Sequence, residues 1–165
     1  MESDSVDRIV EAWAAYDPRI RSSSLEVTGR LVLLAGYCDR AVSAALRPFG
    51  LSIADFDVLN TLRRRSDRPG TNPSDLARSS LITTGAMTAR LNRLERAGLI
   101  RRTPDPTDRR GVLIHLTRDG DVKARQALNA VIAASEAFVE PLSAQDQGTA
   151  AAVLRQLLLR QESRA

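Results

Sequence analysis

The run Asn72-Pro73-Ser74-Asp75-Leu76-Ala77 begins a helix that cannot stand by itself. Asn72 offers a cap, Pro73 takes the first helical position, where its missing N–H costs nothing, and Asp75 places an acid in the first turn. The apolar pattern is spent almost at once, well short of the ~12 residues at which an isolated helix becomes even marginal in water. A partner must therefore lie close by. It follows Ser79-Ser80-Leu81-Ile82, where Thr83-Thr84-Gly85-Ala86 leads into Met87, Leu91 and Leu94 at helical spacing before Gly98 ends the pattern. Two short helices joined by a tight link predict a helix-turn-helix. Beyond Gly98, Leu99 to Thr103 and Val112 to Leu116 read as extended segments around the turn-rich loop Pro104 to Gly111, a hairpin with a basic tip.

The flanks are helical. Ser5 to Tyr16 carries Val6, Ile9, Val10 and Trp13 at helical spacing and stops before Asp17-Pro18. A long pattern from about Leu25 to Leu46 follows, broken by Pro48-Phe49-Gly50. Ser52 and Asp55 form an N-cap arrangement for a helix through Phe56, Val58, Leu59 and Leu62. Thr117 caps a helix to about Val139, and Ser143 with Asp146 opens the last one, whose Val153, Leu154, Leu157, Leu158 and Leu159 exceed what one small monomer face needs. The expected fold class is mainly α with a small β-hairpin wing.

At 165 residues, 43% apolar and 27% charged, the chain has the size and composition of one elaborated globular domain. Apolar stretches such as Leu31 to Tyr37 fall far short of the roughly 20 residues that span a bilayer, and the acidic start MESDSVDRIV is no secretion signal. The lone Cys38 excludes an internal disulfide, and one histidine, His115, leaves no Cys/His set for zinc. No membrane partner is expected, and the expected compartment is a reducing cytoplasm.

The formal charge of +4 is concentrated. Between Thr83 and Arg110 seven arginines face three acids, which accounts for the whole excess and leaves the remaining chain neutral. Such a segment suits phosphate contact, although a solvated basic face would look the same on charge alone. The local architecture favours DNA. With Met87, Leu91 and Leu94 turned inward, helical geometry turns Gly85, Ala86, Ala89 and Arg93 outward, with Thr84, Thr88 and Arg90 on the flanks. Small residues allow close approach to base edges in the major groove, while a hairpin alongside reaches the minor groove.

The run Phe56-Asp57-Val58-Leu59, then Pro73 to Ala77, then Gly85 to Ile100, then Asp105-Pro106-Thr107-Asp108-Arg109-Arg110-Gly111 and Leu116-Thr117 resembles the MarR family of bacterial transcription regulators, over roughly Leu25 to Arg160. The resemblance implies a homodimer joined by its N- and C-terminal helices, with residues 1–50 and 117–165 as dimerisation region and 51–116 as DNA-binding lobe. It implies binding to a pseudo-palindromic double-stranded operator, usually as a repressor. It also implies that Arg110 enters the minor groove and that Asp108 helps orient it, with Arg109 beside them. Taken alone, Asp105, Asp108, Arg109 and Arg110 read rather as an exposed turn with weak surface ion pairs, and it is the preceding helix-turn-helix pattern that favours DNA contact.

The extra N-terminal helix is similar to that of the family's urate-sensing branch, which implies a ligand site at Trp13, Asp57 and Arg90 for a urate-like or other aromatic anion. Ala35 stands near the place of a histidine that some members of that branch contribute. In plainer readings Trp13 packs against the long helix, and Asp57 is an exposed acid or an arginine's partner. Cys38 lies in an apolar stripe and reads as a small buried hydrophobe rather than a redox sensor; His115 reads as facing solvent or pairing locally. No nucleophile has a histidine partner and no glycine loop cradles phosphate, so neither enzyme activity nor a cofactor is expected. A winged-helix protein–protein module and a constitutive DNA binder without ligand response remain the alternatives.

Overall fold

The computed structural model describes residues 3–20, 22–65, 70–79, 84–108 and 111–164. Chain contacts divide it into two compact units, Met1–Ala41 and Val42–Ala165. In the first unit, helix α1 (Ser5–Tyr16) is opened by a capping box. The Asp4 carboxylate accepts the N–H groups of Val6 and Asp7 at 2.7 and 3.0 Å, and the Asp7 carboxylate accepts that of Asp4 at 2.9 Å. From helix α2 (Ser23–Leu46), Arg30 donates to both acids, at 2.8 Å to Asp4 and 2.5 Å to Asp7. Val6 is buried where α2 carries Gly29, whose absent side chain makes room: a Cβ there would lie 3.1 Å from a Val6 methyl. Trp13 does not bury against its own chain as the packing reading expects. It is 46% exposed, its ring meeting Tyr16 edge-on at 6.0 Å.

The second unit holds the core. After a 3-10 turn (Arg47–Phe49) and Gly50 in the left-handed region at φ 65°, helix α3 (Ile53–Arg64) buries Val58, Leu59 and Leu62. Helix α4 (Pro73–Ser79) contributes Leu76, and helix α5 (Thr84–Arg96) contributes Met87, Leu91 and Leu94, the stripe expected from spacing. Each buried leucine stabilises by about 1.5–3 kcal/mol, which is how a helix as short as α4 is held. Strands β1 (Ile100–Pro104) and β2 (Val112–Leu116) pair antiparallel with Arg102 opposite Ile114, β1 running one residue later than its sequence pattern. Thr71 adds a one-residue bridge to Ile114 through hydrogen bonds of 3.1 and 2.9 Å, tying the approach to α4 to the hairpin.

Helix α6 (Arg118–Val139) packs on α3 and buries Ala124 and Ala127. Its cap, Thr117, accepts the Gly120 N–H at 3.0 Å and donates its hydroxyl to the Gly98 carbonyl at 2.8 Å, so the start of α6 and the end of α5 are fixed together. Helix α7 (Ala144–Glu162) follows, capped by Ser143. Its Val153, Leu154, Leu157, Leu158 and Leu159 are 41 to 59% exposed. No helix among the described residues is long and apolar enough to cross a membrane.

Candidate nucleic-acid interface

On α5 the exposed residues are Thr88, Ala89, Asn92, Arg93 and Arg96, one continuous face opposite the buried stripe. Thr84 and Ala86 head the same helix, where the backbone alone is described. Of the residues expected on this face, Thr88, Ala89 and Arg93 are there. Arg90 is set back from it, its side chain only 16% exposed. Asn92 and Arg96 also stand on this face, beyond the residues that the sequence reading places there, and both follow from Ala89 by steps of three and four residues, the spacing that defines a helix face.

Arg90 and Arg93 are drawn to a single buried acid. Asp55, the third residue of α3, has a side chain 3% exposed and accepts a charge-assisted hydrogen bond from Arg93 on Oδ1, with Arg90 Nε at 3.5 Å from the same oxygen. Its Oδ2 accepts the Ser52 hydroxyl at 2.6 Å and the Ser52 N–H at 3.1 Å, completing the cap of α3. Burial pushes this carboxyl's pKa up, but the bonds from Arg93 and Ser52 and the Arg93 charge outweigh it and hold it below the ordinary carboxylate value.

An Arg90–Asp57 pair, one of the arrangements open from sequence, is not the one formed. Successive helix residues are about 100° apart, so Asp55 and Asp57 face nearly opposite sides of α3. Asp57 instead lines a cavity of about 450 Å³ with Phe56, Asn60, Arg63, Arg64 and Leu128, where Arg63 Nε bonds Asp121 at 3.1 Å. Asp57 Oδ2 and Arg90 Nε and Nη1 are buried with no hydrogen-bond partner among the described residues. Trp13 belongs to the first unit, where it lines an open apolar hollow with Ile9, Ala12 and Tyr16.

The wing is tied back to α5. Arg102 on β1 donates to the Glu95 carboxylate and to the Asn92 side-chain oxygen, both at 2.7 Å. At the tip, Asp105 accepts the N–H and hydroxyl of Thr107 at 2.8 and 2.7 Å, an Asx turn whose bonds, the Thr107 hydroxyl foremost, lower its pKa. The Asp105 N–H donates to the Gly111 carbonyl at 3.0 Å and the Gly111 N–H to that of Asp108 at 2.9 Å, closing the loop. Arg109 and Arg110 lie outside the described residues. Asp108 is exposed at the edge of the same turn. His115 pairs locally, its Nε2 2.8 Å from the Thr103 hydroxyl. Cys38 is half-buried on α2.

Comparison with known proteins bears on the fold and the family. A family model described as MarR family matches residues 49–111. The HTH-type transcriptional regulator PecS of Dickeya dadantii is 32% identical over 142 residues, 86% of each chain. The multiple antibiotic resistance protein MarR of Escherichia coli is 34% identical over 93 residues, 56% of this chain and 62% of that one. A crystal structure of mutant Escherichia coli MarR complexed with operator DNA superposes with a TM-score of 0.72 at 28% identity, covering 84% of this chain and 99% of that one.

Proposed function

The chain belongs to the MarR family of winged-helix, DNA-binding transcriptional regulators, and from that premise we propose that it binds a pseudo-palindromic operator as a homodimer in the bacterial cytoplasm, acts as a repressor, and lets go when a small aromatic or anionic ligand binds. The observation that carries the DNA contact is the exposed α5 face of Thr88, Ala89, Asn92, Arg93 and Arg96, fastened to the wing through Arg102. Small residues beside arginines suit a helix laid in the major groove, with Thr84 and Ala86 at its head, and Arg109 and Arg110 are the further arginines proposed to contact DNA. The test is duplex binding across a salt series. Several phosphate contacts per dimer give a steep fall of affinity with salt, whereas a protein–protein module on the same fold gives weak or no duplex binding.

Two further features support the dimer and the ligand. The leucine-rich face of α7 leaves more apolar surface in water than a monomeric chain retains without cost, which suits helical regions 1–50 and 117–165 as the dimer contact. Buried polar atoms without partners are uncommon in folded proteins, and among the described residues they sit on Asp57 and Arg90, two of the three residues assigned to the effector. A urate-like or other aromatic anion with donor groups would serve Asp57, which faces away from Asp55 and the arginines it holds. Titration of the lone tryptophan, Trp13, with urate, purines and aromatic acids, alongside release of bound duplex, tests this reading. Quenching coupled to release supports it; binding of DNA that no such compound disturbs leaves a constitutive regulator.

A further inference from the structure

We propose that Asp55 is a positioning residue for DNA recognition: by anchoring Arg93 and drawing Arg90 inward from one buried oxygen, it sets which arginine α5 presents to DNA. The inference rests on the DNA-binding reading above. A carboxylate accepts on both oxygens, and here the two are divided between neighbouring helices. Oδ2 is committed to the Ser52 cap of α3, which fixes the carboxyl's orientation, and Oδ1 is thereby aimed at α5. Arg90 and Arg93 are three residues apart and so lie on adjacent positions of the helix, within reach of the same acceptor.

The outcome for the two arginines is unequal. Arg93 gives one Nη2 hydrogen bond to Asp55, yet its side chain stays 56% exposed, so its remaining donors are held at the surface from a fixed root. Arg90 is drawn inward to 16% exposure. Two cations and one anion leave a net single positive charge at this corner of the helix. Without the anion both guanidinium groups would be free to reach for phosphates, which attract cations whatever the sequence. A groove contact that reads bases needs a guanidinium held in one geometry, because bidentate donation to guanine is directional. Asp55 thus trades general phosphate attraction for orientation, and its effect falls on the ratio of specific to non-specific affinity.

That ratio separates positioning from mere support of the fold. The experiment takes a duplex selected by the wild-type chain from a random pool and a scrambled duplex of equal composition, and measures affinity for both at fixed salt. Asp55→Asn, nearly the same shape without the charge, is expected to lower affinity for the selected duplex about tenfold or more, the scale of one bidentate base contact. Its affinity for the scrambled duplex is expected to hold or rise. Asp146→Asn, at the equivalent capping position of α7, is the control and is expected to keep the ratio. Equal loss on both duplexes, or on neither, overturns the positioning role. Should Asp55→Asn not fold, the wild-type chain still decides: slowed guanidinium rotation of Arg93 by NMR supports an anchored group, and free rotation overturns it. A wild-type chain that does not distinguish the duplexes defeats the DNA-recognition reading itself, a result separable from discrimination that survives in the variant.

Discussion

Arg102 of β1 donates to Glu95 of α5 across 2.7 Å, and its second Nη reaches Asn92 one turn earlier at the same distance. The wing is therefore bonded to the recognition helix by one side chain whose two donors diverge as a fork. A lysine, with a single charged nitrogen, has no such geometry. We expect Arg102→Lys to cost about 1 kcal/mol of stability, the scale of a partly exposed charged hydrogen bond. Its loss of operator affinity should be larger than the same change at Arg101, which is exposed on the same strand. Paired melting and duplex titration check this, and equal effects at the two positions would remove the fork from the mechanism.

Gly120 has no such exposed role. A Cβ built on it would lie 2.0 Å from the Leu99 carbonyl oxygen and 3.0 Å from a Leu116 methyl, so Gly120→Ala must push α6 off the hairpin. Overpacking a core by one methyl typically costs about 1–3 kcal/mol, and a clash with backbone belongs at or above the top of that range. Chemical denaturation should show this as a lowered midpoint. A variant as stable as the parent would mean that α6 starts elsewhere.

The helix limits were legible because their signals are local. Asp17-Pro18 stops α1, Ser52 with Asp55 opens α3, Pro73 opens α4, Thr117 opens α6, and each is read within four residues of the backbone it controls. The stripe Met87, Leu91, Leu94 was equally plain from its period. What stayed hidden acts at a distance. Asp55 looked like a capping residue and is one, but its second oxygen serves Arg93, 38 positions along the chain. Nothing local marks Gly120, over which the Leu99 carbonyl closes from much earlier in the chain. Arg90 was expected on a flank of the α5 face and is drawn inward, because spacing shows the face but not which acid lies across from it.

His115 makes stability depend on pH. Burial, and then the charge of Arg101 opposite it in the hairpin, hold its pKa below the usual 6.5. The folded state thus binds fewer protons than the unfolded one as pH falls through this region. Stability contributed by neutral His115 is complete above 6.5 and drains away as pH drops through the lower folded value. Melting temperature should therefore fall between pH 7.5 and pH 5, and His115→Gln, which keeps a polar partner for Thr103 without titrating, should flatten that part of the profile. An unchanged slope in the variant would place the proton uptake elsewhere.

The exposed face of α7 gives the test of assembly. Leu154 and Leu158 lie one helical step of four apart and are 46 and 59% exposed, so they stand on one side of the helix. Neither belongs to the buried cluster of the second unit, and replacing them should leave that core intact. If α7 is the dimer contact, Leu154→Asp with Leu158→Asp puts two charges into an apolar interface, where an unpaired charge costs several kcal/mol. Sedimentation should then show a monomer with unchanged helical content. Affinity for a two-half-site duplex should fall far more than affinity for a single half-site, because the second half-site is no longer held nearby. A double variant that still sediments as a dimer would remove these leucines from the interface, whatever becomes of DNA binding.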